Sequence, residues 1–166
     1  MTADGQQYRI DPQFFYYWGP FGIYGEYILS SQEVKSTVPA TAQYSRFNNH
    51  AWQILASYFV TGEDNSFKTV TPLHPFSLHG DGWGALELTA RFGKLSLDND
   101  AFPKFVTATS AQEATSWGVG VNWYLNRNVK LNLDYENTSF RRGSGAIGSP
   151  TATEEHAILT RVQFAF

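Results

Sequence analysis

Eight charged side chains take alternate places in short runs of this sequence, and these are the residues best suited to chemistry. In "VKLNLDYE", Lys130, Asp134 and Glu136 alternate with apolar residues, a period of two that places them on one face of a β-strand. Fixed charges on one wet surface attract or repel ions through the local potential. We predict that this set lines a water-filled pore: Arg9, Glu26, Glu87, Arg91, Lys130, Asp134, Glu136 and Arg161. Pairing across neighbouring strands, which would only stabilise the wall, is the alternative role.

The sequence offers no comparable case for catalysis or for a metal centre. Its four histidines lack the close spacing of a zinc site: His74 and His79 share one connection without an apparent third ligand, and His50 and His156 lie in other segments. No G-x-S-x-G nucleophile motif occurs, and the chain contains no cysteine for a disulfide or a thiolate ligand. We predict that the protein is not an enzyme, with no catalytic residue, no metal and no cofactor.

The segments that carry these charges have the composition and the alternation of β-strands. Aromatic residues make up 16% of the chain, and aromatic side chains favour a pleated surface. Period-two alternation with turn residues at the ends predicts seven strands, at residues 7–17, 21–35, 42–61, 84–97, 116–125, 129–140 and 156–166.

Two all-β architectures fit these strands, a transmembrane barrel and a soluble sandwich. No window approaches the roughly 18 consecutive apolar residues of a membrane-spanning helix. The connections "WGPFG" and "NRN" are tight, whereas 98–115 and 141–155 are long, as in barrels with short turns at one rim and long loops at the other. Aromatic residues near strand ends favour a membrane interface, and those that do so here are Tyr16, Trp18, Tyr27, Trp52, Trp117, Trp123 and Tyr135.

Several blocks resemble a known family. "FYYWGPFGIYGEY", "NNHAWQILASYFVTGED" and "GDGWGALELTARFG" resemble the C-terminal half of the phosphate-selective porin O and P family, and the final "VQFAF" resembles the outer-membrane insertion signal of barrel proteins. The resemblance covers nearly the whole chain. It implies a sixteen-stranded antiparallel up-and-down barrel, commonly a homotrimer, that conducts anions through a lumen narrowed by inward-folded segments.

The number of strands predicts that residues 1–166 are a single C-terminal portion of such a barrel. Seven strands use about 24 residues each, so sixteen would need about 400 residues, and "TADGQQYR" after Met1 lacks the features of a secretory signal. An open sheet in lipid must have its edges paired. The missing N-terminal strands, copies of the chain, or an eighth strand from dividing 34–47 would pair them.

The expected function is passive conduction of small anions such as phosphate, or of other hydrophilic solutes, across the bacterial outer membrane. The expected partners are outer-membrane lipid and the solute, and a net charge of -3 gives no argument for nucleic acid. A non-conducting structural or adhesive barrel and a soluble β-sandwich binding module remain alternatives. The connection 62–82 is anomalously long, and either folds into the lumen or forms a proline-ordered rim segment.

Overall fold

The computed structural model is an antiparallel up-and-down β-sheet, as the alternation predicted. The structure describes residues 2–36, 43–102, 105–107, 110–142 and 153–165. Within them no helix is long and apolar enough to cross a membrane. The eight strands are β1 (Thr2–Ile10), β2 (Gln13–Trp18), β3 (Phe21–Ser36), β4 (Gln43–Phe59), β5 (Ala85–Ser96), β6 (Ala111–Tyr124), β7 (Val129–Arg142) and β8 (Thr153–Phe164).

The first predicted strand is interrupted at Asp11 and Pro12, so eight strands occupy seven positions. β1 and β2 pair with successive parts of β3, through Ile10 opposite Leu29 and Gln13 opposite Glu26. Proline has no N–H to donate to the ladder, and only its carbonyl takes part by accepting from the Tyr27 N–H at 3.1 Å. Of the stretch 34–47, from which an eighth strand was expected, residues 34–36 end β3 and 43–47 begin β4, and 37–42 lie outside the described residues. The additional strand that the structure describes arises at Pro12.

Three predicted strand starts are corrected by the ladder, and the first is β1, which begins at Thr2 rather than at residue 7. β6 begins at Ala111 rather than 116, and β8 runs from Thr153 to Phe164 rather than over 156–166. The early starts of β6 and β8 are polar, "AQEAT" and "TEE", and the extended neighbouring strands pair with them regardless of their low apolar content. Phe166, the expected insertion signal, lies outside the described residues.

All eight strands belong to one sheet, with β1 and β8 at its two edges, and the sheet is not closed. The soluble sandwich is not formed by these strands, since it requires two packed sheets. The turns at 19–20, 60–84 and 125–128 lie at one end of the sheet, which we call the turn end. The connection 97–110 lies at the opposite end, the loop end.

Register divides the sheet into two faces, because directly opposite residues on paired strands point to the same side. We call the side that carries Leu133 the apolar face. It continues through Thr160 on β8 and through Val121 and Leu88 on β6 and β5. All seven aromatic residues expected at a membrane interface belong to this face by register.

Aromatic side chains form a continuous row across the apolar face. The Trp52 and Phe92 rings are 5.6 Å apart, the Trp117 and Tyr135 rings 5.5 Å apart, and Tyr27 is directly opposite Trp52. Beyond this row, towards the loop end, the same face carries ion pairs, including those of Arg46 with Glu33 and of Arg141 with Glu113. An apolar band that ends in aromatic and then charged residues is the side-chain order of a membrane boundary.

The opposite side, which we call the polar face, holds the small hydrophobic core. Val34 and Phe47 are buried there beneath Ala101 and Phe102 of the connection 97–110. Asp98 anchors this connection, accepting a hydrogen bond from the Asn48 N–H at 2.8 Å. The core therefore lies between the sheet and a loop folded across it.

Candidate functional site

All eight charged residues predicted from the sequence lie on the polar face by register. Arg91 is opposite Gly118 and Gly118 is opposite Glu136, while Arg161 is opposite Asn132. Arg9 and Glu26 fall on the same side through their partners on β3 and β4. The structure brings the set onto one surface, and its role in lining a pore stays a prediction.

An ion pair crosses the middle of this surface. The Arg91 Nη2 and Glu136 Oε1 atoms are 2.5 Å apart, although the two residues lie on strands that are not neighbours. The pair passes over Gly118 of the intervening strand β6. Pairing across strands, the alternative role for the charges, therefore applies to Arg91 and Glu136.

Glu87 is a buried carboxylate held by uncharged donors. Its Oε2 atom accepts hydrogen bonds from Asn122 Nδ2 and from the Tyr124 hydroxyl, each at 2.8 Å. Lys130 lies with its Nζ atom 5.0 Å from the centre of the Tyr124 ring, within the range of a cation–π contact. This cluster joins β5, β6 and β7 near the turn end.

The Glu26 carboxylate is also held by uncharged donors, which come from β2 and β4. It accepts from Gln53 Nε2 at 2.6 Å and from Gln13 Nε2 at 3.3 Å. Amide donors stabilise a carboxylate without cancelling its charge. Glu26 therefore contributes a fixed negative charge to this part of the face.

Among the side chains that the structure describes, five cationic ones have no carboxylate oxygen within 4.0 Å, and four of these lie towards the turn end. Lys68, Arg127 and Lys130 line one cavity of about 210 Å³, together with the amide residue Gln163. The other two such cations are Arg9 and Arg161. Lys68 and Arg127 are not among the eight residues predicted to line the pore, because both lie in connections without a strand period to assign them to a face. Lys68 belongs to the connection 62–82, for which folding into the lumen was one of the two expectations.

The long connection after β4 folds back over the polar face in its first part. The Asn65 amide donates to the Ser57 hydroxyl at 2.5 Å, and the Phe67 ring lies 4.1 Å from Phe15 and 5.5 Å from Tyr17, measured between ring centres. Glu63 is buried and accepts from the Leu73 N–H at 3.0 Å. Residues 63–70 therefore cover part of the sheet surface.

The second part of the same connection remains at the rim. Phe76 packs against Trp123 with ring centres 5.4 Å apart, and its N–H donates to the Leu125 carbonyl at 2.7 Å. Trp123 belongs to the apolar face. The connection therefore combines the two expected arrangements: its first part lies over the polar face, and its second part lies at the rim.

A wall with one aromatic-rich apolar face, one charged face and segments folded over the charged side defines a porin-type β-barrel protein. The sequence matches the phosphate-selective porin O and P family over residues 1–166. The chain belongs to this family, as the sequence blocks indicated. No curated protein matches it. The family is one of channels rather than of enzymes.

Proposed function

We propose that this chain forms part of the wall of a bacterial outer-membrane channel that passively conducts small anions such as phosphate, or other hydrophilic solutes. The polar face lines the lumen and the apolar face contacts outer-membrane lipid. The turn end then faces the periplasm, as short turns do in bacterial barrels. The open sheet edges pair with further strands of the same barrel or with copies of the chain, and the complete channel is a homotrimer.

The observation that carries the proposal is the uneven pairing of the cations. Lys94, Arg46 and Arg141 lie on the apolar face and are ion-paired. Lys68 and Arg127, by contrast, have no such partner in the part of the chain that the structure describes, and they line the cavity at the turn end. A cation without a competing carboxylate keeps its donors and its field for a passing anion.

The carboxylates of the polar face limit how selective the channel is. Glu136 neutralises Arg91, and Glu26 keeps its own negative charge. The eight charged residues predicted on this face divide equally between the two signs, four basic and four acidic, which suits hydrophilic solutes in general. Preference for anions arises mainly at the turn end, where Lys68, Arg127 and Lys130 converge.

Ion selectivity of the channel isolated from outer membranes tests the proposal. Two unit charges about 10 Å from a passing ion together contribute about 0.3 kcal/mol at ~0.1 M salt. Replacing Lys68 and Arg127 together (K68Q/R127Q) is therefore expected to lower the anion-to-cation permeability ratio about threefold. The matched control is R46Q, which removes a cation from the apolar face and should leave the ratio unchanged. A protein that inserts without conducting, or a ratio unaffected by K68Q/R127Q, contradicts the anion pathway.

A further inference from the structure

Two glycines stand in the centre of the polar face, each between functional side chains of the flanking strands. Gly120 on β6 is directly opposite Thr89 on β5 and Asp134 on β7. Gly118 takes the corresponding place between Arg91 and Glu136. The two rungs are neighbours on one side of the sheet, because side chains two residues apart on a strand share a face.

The backbone does not require glycine at either position. The described glycines with positive φ are Gly5, Gly19, Gly62 and Gly84, so Gly118 and Gly120 adopt conformations open to other residues. A glycine inside a strand weakens it and often marks a close approach of other groups. Backbone conformation therefore does not explain why residue 120 is glycine, and the space above the strand does.

That space is occupied at Gly120. A Cβ atom built there would overlap Asp134 Oδ1 and would lie 2.7 Å from Thr89 Oγ1. Cβ atoms do not approach other heavy atoms so closely, so the Asp134 carboxylate lies where a side chain of residue 120 would begin. Any larger residue must push that carboxylate away from the wall.

Gly118 lies between the two partners of the neighbouring ion pair. Adjacent strands are about 4.8 Å apart, so Arg91 and Glu136 must reach across roughly 9.6 Å of sheet to meet. They do so at 2.5 Å over a residue without a side chain. A Cβ at Gly118 would be tight against the Tyr135 carbonyl oxygen, at 3.1 Å, and its next nearest atoms would be Glu136 Cα and Cβ at 3.8 Å. It would therefore crowd the backbone without meeting the charged groups of the pair, and Gly120 is the glycine whose space a charged group occupies.

We propose that Gly120 is a specificity-determining residue of the channel, because it lets the Asp134 carboxylate lie flat against the wall, next to the compensated Arg91–Glu136 pair. The wall keeps a wide lumen there, and its charges are partly compensated instead of projecting into the path of the solute. This inference rests on the proposed function, since it takes the polar face as the lumen. It adds that an uncharged residue sets the charge preference.

A double-mutant cycle at residues 120 and 134, measured in single channels, tests the inference. G120A is expected to displace the Asp134 carboxylate into the lumen, lowering conductance and the anion-to-cation permeability ratio, the latter about twofold. D134A empties the same space. The double variant G120A/D134A should therefore match D134A alone in both quantities, whereas independent effects would add.

The control is another glycine of the polar face, Gly93 on β5. A Cβ there would be tight against the Trp52 carbonyl oxygen at 3.0 Å and Gln53 Cβ at 3.2 Å, with no charged side chain involved. G93A is expected to leave the permeability ratio unchanged. It separates backbone crowding from displacement of a charge.

Each outcome decides between the two proposals. A wild-type channel that conducts, with G120A unaltered in conductance and ratio, overturns the role of Gly120 and leaves the proposed function standing. A wild-type protein that inserts without conducting overturns both. If G120A does not assemble, G120A/D134A decides, because alanine at 134 vacates the space, and failure of this rescue also overturns the inference.

Discussion

Replacing Glu136 with glutamine removes the partner of Arg91 without changing the size of the side chain. The Arg91 and Glu136 side chains are 40% and 26% exposed. A pair that water reaches to this extent contributes little to stability. The barrel should therefore assemble normally, and the consequence of E136Q should be an uncompensated guanidinium on the wall of the lumen.

The size of the effect follows from Coulomb's law. A unit charge about 6 Å from a passing monovalent ion contributes about 0.7 kcal/mol in water, and screening at ~0.1 M salt reduces this to about 0.4 kcal/mol. That energy raises the local concentration of a monovalent anion about twofold and lowers that of a cation about twofold. The anion-to-cation permeability ratio should therefore rise about fourfold. At ~1 M salt the residual energy is about 0.1 kcal/mol, and the change falls to about 1.4-fold.

Reversal potentials across a planar bilayer with a salt gradient measure this ratio. R91Q should shift the ratio in the opposite direction, and R91Q/E136Q should return it close to the wild-type value. The reasoning is refuted if E136Q produces the same shift at ~1 M as at ~0.1 M salt. It is also refuted if R91Q and E136Q shift the ratio in the same direction.

Two further predictions test the faces and the folded segment. L133R places a charge on the apolar face and should lower the free energy of unfolding by about 2–4 kcal/mol, the cost of a charge near the bilayer midplane. L159R, on the polar face opposite Asp134, should lower it by less than about 1 kcal/mol. Equal losses for the two variants in urea-unfolding experiments would invalidate the assignment of faces. F67A removes the ring that lies over the polar face and should increase single-channel conductance. F76A, which removes a ring at the rim, should leave the conductance unchanged. An unchanged conductance in F67A would show that residues 63–70 do not narrow the lumen.

The alternation in single strands was sufficient to predict which residues share a face. In β7, Leu131, Leu133 and Tyr135 alternate with Asn132 and Asp134, and the register confirms that division. Such patterns are local, because successive side chains of a strand point to opposite sides. The interruption at Pro12 was also implicit in the sequence, since proline cannot donate to a ladder, yet the alternation on either side concealed it.

The partners of the charged residues could not be predicted in this way. Arg91 and Glu136 are 45 residues apart, and their meeting depends on the register of β5, β6 and β7 together. A shift of one residue between two strands would exchange the faces and remove the pair. Register follows from backbone pairing and turn geometry across the sheet, which no single strand contains.

The sequence by itself determined the class of the protein, its strands and the sorting of polar from apolar side chains, since each depends on residues close together in the chain. Only the tertiary structure decided that Arg91 is neutralised, that Lys68 joins Arg127 and Lys130, and that Phe67 lies over the sheet. The physical reason is that these contacts join distant segments, and their geometry exists only once the ladder has set the strands side by side.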